Sequence, residues 1–241
     1  MKKRKPFLSV IIPLFNEESR IFNLAEIQKY LEKKGFSHEI ILVNDGSSDK
    51  TLSVLKKYIN KNQSKVITYS KNRGKGYAIK QGMLASKGKY KFFTDIDLST
   101  PIEEFNNFIP HLKQCDVIIA TRKIKKSVLV KRQSIIRESL GKGFTLLSRI
   151  ILRISSSDFT CGFKCFSEKA ANIIFGKQKI ERWGFDSEIL YLAKKNKLKV
   201  KEVAVSWTND ARTKVKFPQD IIVSFSELIK IVYYDFRKYY D

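Results

Sequence analysis

Asp95 and Asp97 are the residues of this sequence best placed to do chemistry. They stand one residue apart in Phe92-Phe93-Thr94-Asp95-Ile96-Asp97-Leu98-Ser99, directly after strand-forming residues that begin at Tyr90. Alternate residues of an extended segment point the same way, so both carboxylates can face one cation. Hard oxygen ligands at the carboxyl end of a strand suit Mg²⁺ or Mn²⁺, with a phosphorylated molecule completing the coordination. An Asp-x-Asp alone is as easily a solvated turn. Its weight comes from the buried strand before it and from polar clusters elsewhere in the chain.

Five further positions, single residues or clusters, carry polar groups that could serve such a site. Asn16-Glu17-Glu18 follows an apolar run. Asp45 suits either a turn cap or a hydrogen bond to a base or ribose. Asn72-Arg73-Gly74-Lys75-Gly76 is neither a P-loop nor a dinucleotide fingerprint, yet its glycines permit close backbone approach, and Arg73 and Lys75 can face a diphosphate. Arg122 ends another apolar run. In Glu181-Arg182-Trp183-Gly184-Phe185-Asp186-Ser187-Glu188 the acids fall at a helix start, where they also favour the helix dipole.

The elements that must position these residues alternate. Strands are expected at 8–13, 39–43, 66–69, 90–94 and 117–120. Helices are expected at 21–33, from Ser48 or Asp49 to about Tyr58, at 77–85 and from Pro101. This alternation predicts an α/β fold with a doubly wound, mostly parallel sheet. Ligands of such sheets bind at the carboxyl ends of the strands, where every cluster before residue 123 falls.

Beyond Arg122 the pattern loosens. Lysines and arginines crowd 123–137. A helix follows with Leu140, Phe144, Leu147, Ile151 and Ile154 on one face, either a core face or one lying in lipid headgroups. A short strand-like element at 159–166, helices near 168–175 and 186–194, and a strand at 200–207 complete the expected 1–210 domain. Residues 211–241 read as an amphipathic helical tail, packed on that domain or at a membrane surface.

Composition narrows the classes of function. With 241 residues and 43% apolar content, the chain can bury a full core. Forty-seven Lys and Arg against 24 Asp and Glu leave a net charge of +23, which calls for an anionic partner. The basic residues show no interleaved stacking aromatics, so nucleic acid is not the expected partner. Cys115, Cys161 and Cys165 lack zinc spacing and read as reduced thiols. The histidines, His38 and His111, lie outside every motif. No membrane span or signal peptide is expected, and the chain reads as cytoplasmic, peripheral on the inner face of a membrane.

Taken together, Pro13-x-x-Asn16-Glu17-Glu18, Asp45-Gly46-Ser47-x-Asp49-x-Thr51, Asn72 to Gly76 and Asp95-x-Asp97 resemble family-2 glycosyltransferases of the GT-A fold. Thr121-Arg122, Asp158-x-x-Cys161-Gly162-Phe163-Lys164, the Glu181 to Glu188 cluster and Val205-x-Trp207 look like the branch that glucosylates dolichyl phosphate, close to the dolichyl-phosphate mannose synthases. The resemblance implies inverting transfer of a hexose, glucose from UDP-glucose, to a polyprenyl monophosphate. It implies that Pro13, Asn16, Glu17 and Asp45 hold the nucleoside with Lys75 beside it, and that Asp95, Asp97 and Ser99 hold Mg²⁺ or Mn²⁺. Arg122 and Arg137 are then the expected acceptor-phosphate ligands, with Asp97 and Arg122 serving the chemistry. A glycan or other hydroxyl acceptor would require a base, for which Asp186 and Glu188 are the candidates.

Overall fold

The computed structural model describes residues 5–60, 63–124, 127–131, 135–210, 212 and 219–241, with side chains at all of these except 129–131, 135–138, 219 and 221. The elements are β1 (Leu8–Leu14), α1 (Asn23–Lys34), β2 (His38–Asp45), α2 (Thr51–Leu55), β3 (Ser64–Tyr69), α3 (Lys75–Ala85), β4 (Tyr90–Thr94), β5 (Val117–Thr121), β6 (Val128–Lys131), α4 (Ile135–Leu152), β7 (Phe163–Ser167), α5 (Glu168–Lys177), α6 (Phe185–Lys195), β8 (Val200–Ala204), β9 (Ser206–Thr208) and α7 (Gln219–Phe236). The main sheet has seven strands in the order β3-β2-β1-β4-β7-β5-β8.

Both faces of the sheet are covered, which is why its strands are apolar nearly throughout. Val10 and Ile12 of β1 pack with α1 through Leu24, Ile27 and Leu31. Ile11 points the other way and joins Ala78, Ile79 and Met83 of α3 with Ile174 of α5 and Ile189 of α6.

β7 runs antiparallel between β4 and β5, with Thr94 opposite Phe163 and Val117 opposite Phe166. Reversal has a direct consequence for function. The amino end of β7, and the 158–162 loop before it, arrive at the same rim as the carboxyl ends of β4 and β5.

Several boundaries differ from expectation. From Pro101 the chain forms two 3₁₀ turns, Ile102–Asn107 and Ile109–His111, rather than an α-helix. α2 ends at Leu55. The expected strand 200–207 divides at Val205 into β8 of the main sheet and β9, which pairs with the unforeseen β6. On α4 the inward face is Phe144, Thr145, Ser148 and Leu152, while Leu147 is 39% exposed. Ser148 meets Ser187 at 3.4 Å, so polar residues belong to the packed face and a count of apolar positions alone rotates the helix wrongly.

α7 packs inward through Leu228 and Ile231 and contacts α4 and α6. Beyond it Tyr240 donates to Glu188 Oε1 at 2.5 Å, and Glu188 also accepts the Lys179 and Ile180 N–H groups. Burial, outweighing these three bonds, pushes the Glu188 pKa from 4.5 up to about 6. Between those values the folded chain keeps a proton that the unfolded chain releases, so stability falls as pH rises through this window, by about 2 kcal/mol. Urea unfolding at both ends of the window should show the wild type losing stability relative to Glu188→Gln. Parallel slopes for the two proteins would remove the effect.

Candidate functional site

A cleft of about 510 Å³ opens at the carboxyl ends of the strands, and most of the expected residues line it. Pro13, Glu17, Asp45, Lys75, Asp95, Asp97, Ser99 and Arg122 are all on its wall.

The acidic pair sits on a tight loop after β4. Leu98 adopts a left-handed φ of 50°, which lets the Ser99 N–H donate to Asp97 Oδ1 at 2.9 Å. Asn23 Nδ2 of α1 donates to the Ile96 carbonyl at 2.8 Å and fixes the loop from behind. The Lys75 ammonium, at the first turn of α3, lies 2.7 Å from Asp95 Oδ1 and 2.8 Å from Oδ2. Burial opposes the Lys75 charge, but Asp95, Asp186 and Asp97 together outweigh it and raise its pKa. Burial, then the neighbouring Asp95 charge, raises the Asp97 pKa. Two neighbouring carboxylates, with the charge on Asp97 disfavoured, are a fitting receptor for a divalent cation. Among the described residues no group of three or more His, Cys, Asp and Glu is disposed around a metal position. A site here therefore takes two carboxylates, with Ser99 close by, and leaves its remaining positions to substrate oxygens and water, as Mg²⁺ and Mn²⁺ tolerate.

Asp45 is a cleft residue whose carboxylate is largely committed. Oδ1 accepts the Arg73 N–H at 2.8 Å, and Oδ2 accepts Asn72 Nδ2 and the Gly74 N–H, both at 2.8 Å. It thereby shapes the 72–74 turn, in which Gly74 has a φ of 116° that a side chain would strain. Arg73 turns away from the cleft, pairs with Glu181 and stacks on Tyr77 at 3.6 Å.

Arg122 is held by Asp158 through a two-pronged bond, Nε to Oδ2 at 2.7 Å and Nη2 to Oδ1 at 2.8 Å, and Nη2 also donates to Thr160 at 2.9 Å. Its guanidinium lies 5.2 Å from the Trp207 ring. Burial disfavours the Asp158 charge, yet Arg122 outweighs it and holds the carboxyl well below its usual range. Such a clamp fixes one cation at a known position on the wall.

Three expected residues are placed differently, and a fourth, Arg137, has no described side chain. Asn16 does not line the cleft; its Oδ1 accepts the Ser48 N–H at 2.8 Å and ties two loops together. Asp186 is buried behind the wall, paired with Lys164, whose ammonium also donates to the Cys161 carbonyl at 2.7 Å. Burial raises the Asp186 pKa against the pull of Lys164. Glu188 does not line the cleft and is bound by two N–H groups and Tyr240, as above. Arg137 falls on α4, but its side chain lies outside the described residues.

Other cleft residues were either unnamed in the sequence reading, as Arg20 and Arg212, or named in a motif without a role, as Arg182, Trp183 and Trp207. Arg20 is 3% exposed, with Nη1 donating to Glu17 at 2.8 Å and Nε to Asp210 at 3.0 Å. The signal available was its position three residues after Glu17. Arg182, Trp183, Trp207 and Arg212 line the cleft as well. Glu227 of α7, 5% exposed, accepts the Gly184 N–H at 2.7 Å and so anchors the turn that carries Arg182 and Trp183.

Comparison with known proteins adds independent findings. Residues 9–175 match the family model described as Glycosyl transferase family 2. The chain is 38% identical over 217 residues to the dolichyl-phosphate beta-glucosyltransferase of Dictyostelium discoideum, covering 84% of this chain and 66% of that one. The Homo sapiens protein of the same name is 36% identical over 217 residues, covering 83% and 67%. The chain thus spans about two thirds of the length of these relatives. A crystal structure of glucosyl-3-phosphoglycerate synthase from Mycobacterium tuberculosis, in complex with Mn²⁺, UDP and glucosyl-3-phosphoglycerate, shares the fold at a TM-score of 0.70 and 15% identity, covering 94% of this chain and 80% of that one.

Proposed function

This chain belongs to glycosyltransferase family 2 and has its GT-A fold, and from that premise we propose that it transfers glucose from UDP-glucose to a polyprenyl or dolichyl monophosphate. An oxygen of the acceptor phosphate attacks the anomeric carbon and forms the new bond. The bond from that carbon to the donor diphosphate breaks, its electron pair leaves with UDP, and the configuration inverts. Asp95 and Asp97, with Ser99 nearby, would hold Mg²⁺ or Mn²⁺, which when bound supplies positive charge to the departing diphosphate. Pro13, Glu17 and Asp45 would seat the nucleoside. Lys75 and the clamped Arg122 place cationic charge where negative charge develops, with no reorganisation needed at the moment of reaction.

The observation that carries this reading is the state of the candidate bases. Asp186 is paired with Lys164 behind the wall and Glu188 is bound on three sides, so neither carboxylate is directed into the cleft. A hydroxyl acceptor needs a base to take its proton. A phosphate monoester does not, because its second pKa is ~6 and its oxygens are already ionised near neutral pH.

A lipid acceptor also calls for a membrane. Among the described residues no helix is long and apolar enough to cross one. α7 instead turns Ile222, Ile229 and Phe236 outward, 65%, 60% and 83% exposed, and α4 turns out Leu146 and Ile150. With a net charge of +23, these faces support peripheral contact with an anionic bilayer, with 211–241 as the contacting tail of a 1–210 catalytic domain.

The test is a donor panel with Mg²⁺, with and without polyprenyl phosphate in detergent, reading released nucleoside diphosphate and radiolabelled glycolipid. UDP-glucose together with the lipid phosphate should give both products. Equal turnover with a sugar hydroxyl acceptor, or none with any donor, would overturn the proposal.

A further inference from the structure

Among the described residues five cationic side chains line the cleft: Arg20, Lys75, Arg122, Arg182 and Arg212. Four are already neutralised. Arg20 pairs with Glu17 and Asp210, Lys75 with Asp95, Arg122 with Asp158 and Arg212 with Asp210. Of these five, Arg182 alone forms no ion pair among the described residues. Its charge acts on Glu227, but that carboxylate accepts the Gly184 N–H and the backbone N–H of Arg182 itself.

An incoming phosphate monoester carries nearly two negative charges, and leaving water is costly unless a cation meets it. Arg122 meets part of that need, but its Nε and one Nη2 hydrogen are spent on Asp158. Arg182 is an exposed residue of the cleft lining, next in sequence to the cleft residue Trp183, and among the described residues no side-chain hydrogen bond or ion pair holds it. Its turn is not loose, because the buried Glu227 grips Gly184, and a Cβ at Gly184 would lie 2.6 Å from that of Glu227. A guanidinium on an anchored turn, in a cleft that Trp183 and Trp207 also line, suits an anionic head that carries an apolar chain.

We propose that Arg182 is the residue that recognises the acceptor's phosphate, and that Glu227 is the positioning residue that sets it. This rests on the transferase reading above and assigns its acceptor end.

The probe is a short, water-soluble isoprenyl phosphate, which removes membrane partition from the measurement. Steady-state kinetics with UDP-glucose should show Arg182→Ala raising the acceptor KM about 10- to 100-fold relative to the donor KM, the loss of a charge-assisted bond. Arg182→Lys should recover part of it. Glu227→Leu should raise the same acceptor KM, and Glu227→Gln, which keeps an oxygen for the Gly184 N–H, should restore it. Direct binding, followed by the fluorescence of Trp183 in a Trp207→Phe background, separates the two levels of the argument. If that protein binds the isoprenyl phosphate and Arg182→Ala binds it equally well, the assignment of Arg182 is wrong while the transferase reading stands. Failure of the unsubstituted chain both to bind and to turn over the probe would remove the acceptor class itself. A parallel rise in donor and acceptor KM in Arg182→Ala would also overturn the assignment, since it would mark a general distortion of the cleft.

Discussion

Asp97→Asn should lower kcat about 10²- to 10³-fold and leave the protein as stable as before, or slightly more so. The loss follows from removing one of two charges that would hold the cation against the donor diphosphate. The stability sign follows from the raised Asp97 pKa, which burial and the Asp95 charge produce. In the window above the unfolded value the folded chain binds more protons than the unfolded one. Stability therefore falls as pH rises, and at neutral pH the ionised Asp97 carries that cost. Asparagine removes the charge and still offers an oxygen to the Ser99 N–H, which donates to Asp97 Oδ1 at 2.9 Å. Asp95→Asn should differ, because it deprives the half-buried Lys75 of its ion-pair partner and so should also lower the melting temperature. Thermal melts beside initial rates distinguish the two variants. An Asp97→Asn protein with kcat within twofold of wild type would show that the pair does not serve the reaction.

Gly162→Ala should have nearly as large an effect without touching a charged residue. A Cβ at Gly162 would sit 2.0 Å from Asp95 Oδ2 and 2.7 Å from its Cγ, well inside contact. The colliding group is a side chain, so Asp95 rotates away and the backbone survives. A displacement of about 1 Å at a reacting centre costs on the order of 10² in rate. The expected signature is a lower kcat with a higher Mn²⁺ requirement and a small change in melting temperature. Gly176→Ala is the control, since nothing lies within 4 Å of a Cβ there. Equal rates for the two alanine variants would mean that Asp95 has no fixed position to lose.

The alternation of apolar runs and amphipathic segments, with polar clusters after the runs, was enough to determine a wound sheet with a site along one rim. That information is local: a buried strand must be apolar on both faces, and its exit loop is where polar groups can reach a ligand. Asp95, Asp97, Lys75 and Arg122 were legible for this reason, each lying at or just beyond an element end. Direction and pairing were not local. Nothing in Phe163–Ser167 distinguishes a parallel strand from an antiparallel one, because the same side chains fit either ladder. Only the assembled sheet reverses β7, and that reversal brings Gly162 against Asp95 and Asp158 onto Arg122. Tertiary structure likewise decided which acids are free to act. Asp186 and Glu188 look alike in the sequence as acids opening a helix, but Lys164 lies 22 residues before the first and Tyr240 lies 52 after the second. An ion pair or hydrogen bond across such separations is set by packing, which no spacing rule records.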